Sequence, residues 1–135
     1  MGSVTRRALF AAIVAVALWG CTAMPPAGAA MVATRLFFGM SIPGGGRVGE
    51  ADWRGFLKHE VTPRFPDGLT VLPATGQWRD RATGRVVREP SRVLLLLHKG
   101  SPKSETAIRA IMDAYKKRFR QDAVLRVDTA VRVAF

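Results

Sequence analysis

Two runs of this chain, "LFFGMSI" at 36–42 and "RVLLLLH" at 92–98, place apolar residues on both faces of any strand they form. Side chains alternate across a strand. Leu36 and Phe38 therefore oppose Phe37, and Leu95 and Leu97 oppose Leu94 and Leu96. Strands of this kind belong in the middle of a sheet and need cover on both sides.

The segments around them supply the rest of a pattern. "ATRLFFGMSI", 33–42, reads as a strand ended by Pro43, and "PGGGRVG" then breaks the chain. Trp53, Phe56, Leu57 and Val61 fall at helical spacing, which predicts a helix from Glu50 to Thr62 closed by Pro63. Gly49 is its N-cap, Glu50 and Asp52 suit its positive end, and Val48 packs on Trp53. "PDG" at 66–68 is a turn, followed by a short strand "LTVL" stopped by Pro73. Residues 76–99 read as a hairpin with "RATG" at its tip, leading into Val93–Leu97. Ser101 and Pro102 open a second helix whose inner face is Ile108, Ile111, Tyr115 and Phe119. Lys116, Lys117, Arg118 and Arg120 crowd its negative end, and residues 123–135 close the chain as a strand.

The order strand, helix, strand, strand, helix, strand predicts an α+β, ferredoxin-like βαββαβ fold, an antiparallel sheet with two helices on one face. Its first and third strands are central, and here they are the two most apolar. The edges carry Pro73 and the charges of Arg126, Asp128 and Arg132. Two helices cover one face only. Either the 74–90 hairpin and the carboxyl-terminal tail fold across the other, or a second subunit packs sheet to sheet as a homodimer.

Residues 1–20 have the layout of an export signal: Arg6 and Arg7, then Ala8 to Trp19 without a charge. The run is shorter than the ~20 residues a membrane span requires. Leu18-Trp19-Gly20-Cys21 resembles the bacterial lipobox, which implies that Cys21 becomes the first mature residue and carries lipid. Ordinary cleavage after Ala29 is the other reading. Thr22 to Ala30, "TAMPPAGAA", is linker composition, so residues 21–30 would tether a single domain at 31–135 to a membrane. The expected location is the bacterial cell envelope, lipid-anchored, or periplasmic or secreted if the cut falls after Ala29.

Cys21 is the single cysteine of 135 residues, so the core must hold the domain without disulfides. The net charge is +11, of which Arg6 and Arg7 contribute two. A basic exported domain favours an anionic envelope component as partner. "LFFGMS" resembles the first-strand motif of RNA-recognition domains, but the third strand, "SRVLLLLH", has none of the aromatics that family needs. No nucleic-acid partner is expected. His59 and His98 are the two histidines, without a cysteine or carboxylate cluster at metal spacing, and neither a metal nor a cofactor is called for. Catalytic residues are not expected either, since no serine has a nucleophile motif around it.

Two stretches are candidate ligand-facing segments. Gly44, Gly45 and Gly46 precede a helix and offer backbone N–H groups, although the spacing matches neither known phosphate-loop pattern. Gln77, Trp78, Arg79, Arg88 and Arg92 would face one another across the hairpin as an aromatic and guanidinium surface for a carboxylate or phosphate. The competing reading has Trp78 covering the sheet and Arg88 or Arg92 paired with Asp80 or Glu89.

Taken together, "TRLFFGMSIPGGG", "EADW", "VTPRFPDGLTVL", "GQWRD", "VREPSRVLLL" and "LRVD" resemble a family of small exported bacterial proteins of unknown function. The resemblance implies a shared fold and export, and brings no activity, cofactor or catalytic residue. The expectation is a lipid-anchored or secreted envelope domain that binds without catalysis. One alternative is a small enzyme or small-molecule binder of the dimeric α+β barrel type, with Arg35, Phe37, Trp78 and His98 as the residues to inspect. Another is adhesion to anionic lipid or lipopolysaccharide through the basic surface.

Overall fold

The computed structural model describes residues 27–135. The signal segment, Cys21 and the first part of the linker lie outside the described residues. Four strands and two helices follow in the expected order: β1 (Ala29–Gly39), α1 (Glu50–Phe56), β2 (Thr70–Arg79), β3 (Val86–His98), α2 (Pro102–Phe119) and β4 (Leu125–Val133). The sheet order is β2-β3-β1-β4, with every neighbouring pair antiparallel. This is the ferredoxin-like arrangement, with β1 and β3 central.

Several element boundaries differ from expectation for local reasons. β1 starts at Ala29, because Ala29 and Ala30 pair with Val133 and Arg132 of β4. Pro73 does not stop β2, which runs on to Arg79; β2 is an edge strand, where a missing N–H is tolerated. The first helix changes character at Leu57, where it continues as a π-helical turn, Leu57–Val61. The wide turn is closed by the Thr62 N–H donating to the Leu57 carbonyl at 2.9 Å, and it carries Val61 into the core. Ser101 caps α2 as expected, accepting the Ser104 N–H at 3.2 Å.

The helices cover one face. Leu36, Phe38, Leu94 and Leu96 point into it and are fully buried with Ile108, Ile111 and Tyr115 of α2 and Phe56 of α1. Phe38 is the meeting point, with its ring centroid 4.6 Å from Tyr115, 5.4 Å from Trp53 and 5.7 Å from Phe56. Tilted and edge-on contacts at these distances are the favoured aromatic geometries. The buried cluster lies between Leu36 and Val124, so the part from residue 27 onward contains the packing that holds it together.

The opposite face is not covered by this chain's hairpin or tail. Asp80 closes the hairpin tightly: its N–H donates to Arg85 O at 2.9 Å, and its carboxylate accepts the Ala82 and Thr83 N–H groups at 2.8 Å. β2 and β3 therefore continue in the plane of the sheet, and the tail continues beside β1 as β4.

Because both helices rest on Phe38, Phe38→Ala is expected to cost about 3–5 kcal/mol, the range for a buried phenylalanine. Urea unfolding of the domain followed by circular dichroism reads this; a loss below about 1 kcal/mol would show that the rings do not join the layers.

Candidate active site

A polar chain crosses the helix-covered face at the end far from Phe38. Register places Thr34 of β1 beside Asp128 of β4, and His98 of β3 two pairs further along, opposite Val32. Thr34 is fully buried and His98 nearly so. The Gly100 N–H donates to His98 Nδ1 at 3.1 Å, which assigns the ring proton to Nε2. Nε2–H then donates to Thr34 Oγ1 at 2.8 Å, and the Thr34 hydroxyl donates to Asp128 Oδ1 at 2.5 Å. Gly100 is required for the first link: its φ is +68°, and a Cβ there would meet Val32 Cγ2 at 3.2 Å.

The chain ends in an ion-pair network. The Arg126 guanidinium donates to both oxygens of Glu105, at 3.0 and 2.7 Å, and to Asp128 from Nε at 3.1 Å. Glu105 is held down to about 2 by its bonds from Arg126 and Arg109. Burial works against the charged form of Asp128, but the bonds from Thr34 and Arg126 outweigh it and leave the carboxyl below its usual range. His98 is lowered, chiefly by burial, with Arg126 adding to the effect against Asp128 and Glu105. The result is a neutral imidazole whose tautomer is set on both sides.

His98 also lines a cleft of about 360 Å³. The loop after α1 forms one wall, with Arg64, Phe65 and Asp67; the β3–α2 turn and the first residues of α2 form the other, with Lys99, Ser101 and Lys103. Phe65 stands edge-on to the imidazole, 6.1 Å between ring centres. Arg64 pairs with Glu60. Among the described residues Lys99 and Lys103 make no ion pair. A second cleft of about 430 Å³ shares Met31, Asp67, Gly68 and Leu97 and opens onto the helix-free face.

The residues singled out from sequence do not converge here. Gln77 and Arg88 do meet across the hairpin, Arg88 Nε to Gln77 Oε1 at 2.6 Å. Arg92 pairs instead with Glu50 of α1. Trp78 alternates to the other face from Gln77, Arg79, Arg88 and Arg92, so the expected aromatic and guanidinium surface does not form. Gly44, Gly45 and Gly46 make an exposed turn with φ of +87°, +114° and +93°, in which the Ile42 and Gly45 N–H groups bond within the loop. The reversal needs this left-handed backbone, which glycine adopts without strain. Of the residues named for the barrel alternative, His98 sits in the cleft, while Arg35, Phe37 and Trp78 lie on the helix-free face. Sequence reasoning missed Thr34, Glu105, Arg126 and Asp128 as one unit. A threonine inside "ATRLFF" and an aspartate inside a β-branched strand were the available signals.

Residues 33–135 match the family described as protein of unknown function (DUF3574). The chain belongs to this family. No curated protein matches it. Among solved structures, it is similar to a phage SAM lyase in complex with S-methyl-5'-thioadenosine, with a TM-score of 0.58 and 14% identity over 82% of this chain and 95% of that one. The same phage enzyme in its apo state gives 0.55 and 16% identity, over 83% and 97%. These likenesses are of fold. They correct the expectation of a non-catalytic envelope domain, since the architecture found here is one that an enzyme of nearly the same extent uses.

Thr34→Val keeps the shape but leaves a buried imidazole N–H and a carboxylate without their shared partner, an expected cost of about 1–3 kcal/mol. Because the folded His98 titrates below 6.5, the unfolded state binds more protons in the window beneath that value. Stability is then complete above pH 6.5 and falls as the pH drops from 6.5 towards the folded value. Urea unfolding across that window should show the fall in the native chain and lose it in His98→Gln; an unchanged fall in the variant would assign it to another group.

Proposed function

We propose that this domain is a small enzyme or small-molecule binder that takes an anionic ligand, carboxylate or phosphate, in the cleft beside His98. One observation carries the reading: a neutral imidazole, locked by the Thr34–Asp128 relay, lines a cleft whose rim holds Lys99 and Lys103. Relays of this type orient a histidine and stabilise its charged form when it takes up a proton. Here Nδ1 faces the Lys99–Ser101 turn and accepts the Gly100 N–H. Perturbed titration in a cleft is a recognised mark of functional sites.

Support from the solved neighbours extends to the use of such a fold for catalysis on a small molecule. Their ligand is a separate matter. S-methyl-5'-thioadenosine carries no net charge, whereas this cleft, with Arg64 already paired to Glu60, sets Lys99 and Lys103 against one carboxylate, Asp67. The charge balance favours an anion.

The test is a thermal-shift panel of phosphate- and carboxylate-bearing small molecules against residues 27–135. At least one should raise the melting temperature, and Lys99→Ala with Lys103→Ala should weaken that ligand by tenfold or more, while Arg79→Ala leaves it unchanged. Equal affinity in the double variant would remove the cleft as the anion site.

A further inference from the structure

The structure assigns the helix-free face of the sheet to a second copy of this chain. Leu72, Trp78, Leu97, Leu125 and Val127 are each between 39 and 60% exposed there, and Phe37 lies among them. Four strands about 4.8 Å apart and some ten residues long present roughly 600 Å² in flat projection, close to the ~800 Å² per partner of a standard interface once side-chain relief is added. The apolar part of this face falls within the ~300–600 Å² of the largest patch on a typical monomer, and a patch of that size is often an interaction surface.

The charges on this face select the occupant. Following the pairing registers, the strand positions on this side include one cation, Arg35, and one carboxylate, Glu89. Arg35 is half-buried, with Thr129 Oγ1 at 3.4 Å as its hydrogen-bond partner. Glu89 lies over Gly39, where a Cβ would come within 2.5 Å of its carboxylate, and accepts the Ser41 N–H at 3.0 Å. Arg35 stands opposite Leu95 and Glu89 lies six residues further along β3, about 20 Å away, so the two cannot pair within one chain. A two-fold axis crossing the strands near the level of Phe38 brings each Arg35 over the other copy's Glu89. A cation in an apolar face needs such a counter-charge when the face is closed. An isologous contact supplies it twice from a surface with one charge of each sign.

The same rotation carries Trp78 from one end of β2 to the other. Each Trp78, half exposed in one copy, comes over the second cleft of the other, between Gly68, Thr70 and Leu97. The partner then contributes an aromatic wall to a cavity that adjoins the His98 cleft. This inference does not depend on what that cleft binds.

The experiment is light scattering with size-exclusion chromatography on residues 27–135, repeated on the full chain in mild detergent. A dimer at ~10 µM is expected in both. Arg35→Glu and, separately, Val127→Arg should each weaken it at least tenfold with circular dichroism unchanged, and Arg88→Glu, on the helix side, should leave it intact. Trp78 emission should shift to the red on dilution through the dissociation range; Trp53 is buried in the core and stays constant. Val127→Arg keeps the test informative if Arg35→Glu fails to fold. A monomer at 100 µM overturns the proposal, as does a dimer indifferent to both substitutions. A dimer of 27–135 beside a monomeric full chain also overturns it, and gives the face to residues 1–26.

Discussion

Among the described residues, one sheet with two apolar faces has two helices to cover it, and the rest of the fold follows from that constraint. The helices close the middle of one face, over β1 and β3. Phe38 carries both of them through contacts with Trp53, Phe56 and Tyr115, so the two βαβ halves cannot separate without exposing four aromatic rings. The other face keeps its apolar side chains in the open, because the hairpin and the tail are used to widen the sheet rather than to cross it. Gain at the first face thus creates the demand at the second.

Where the aromatic cluster ends, the covered face turns polar. Thr34, His98 and Asp128 come from three adjacent strands and form a continuous bonded line, continued by Arg126 to Glu105 on the first turn of α2. Among the described residues no buried side-chain nitrogen or oxygen is left without a partner. A polar line of this completeness is costly to break and sets one arrangement of its members. It gives the neighbouring cleft a histidine of defined tautomer, in the same region where the α1 exit loop and the α2 entry turn bring cations together.

The fold was legible in the sequence because its signals are local. Ile108, Ile111, Tyr115 and Phe119 repeat with the helical period, Ser101 and Pro102 mark a helix start, and the two most apolar runs are the two central strands. Pro73 misled because its cost depends on being at an edge, a fact of the whole sheet. The relay was illegible because Thr34 and Asp128 are 94 residues apart and meet only through register. The hairpin surface failed for a different reason. Strict alternation already puts Trp78 on the side opposite Gln77 and Arg79, and that simple rule outweighs the attraction of gathering all the polar and aromatic residues into one patch.

The central claim is that His98 is a locked, neutral imidazole at the foot of a ligand cleft. It is tested most directly by the nitrogen NMR spectrum of imidazole-labelled His98 in the folded domain, followed through pH 6. One protonated nitrogen, Nε2, and one bare nitrogen, Nδ1, are expected, with the ring taking up its second proton at lower pH than a free imidazole does. A proton on Nδ1, or a ring that charges no later than a free imidazole, would contradict it.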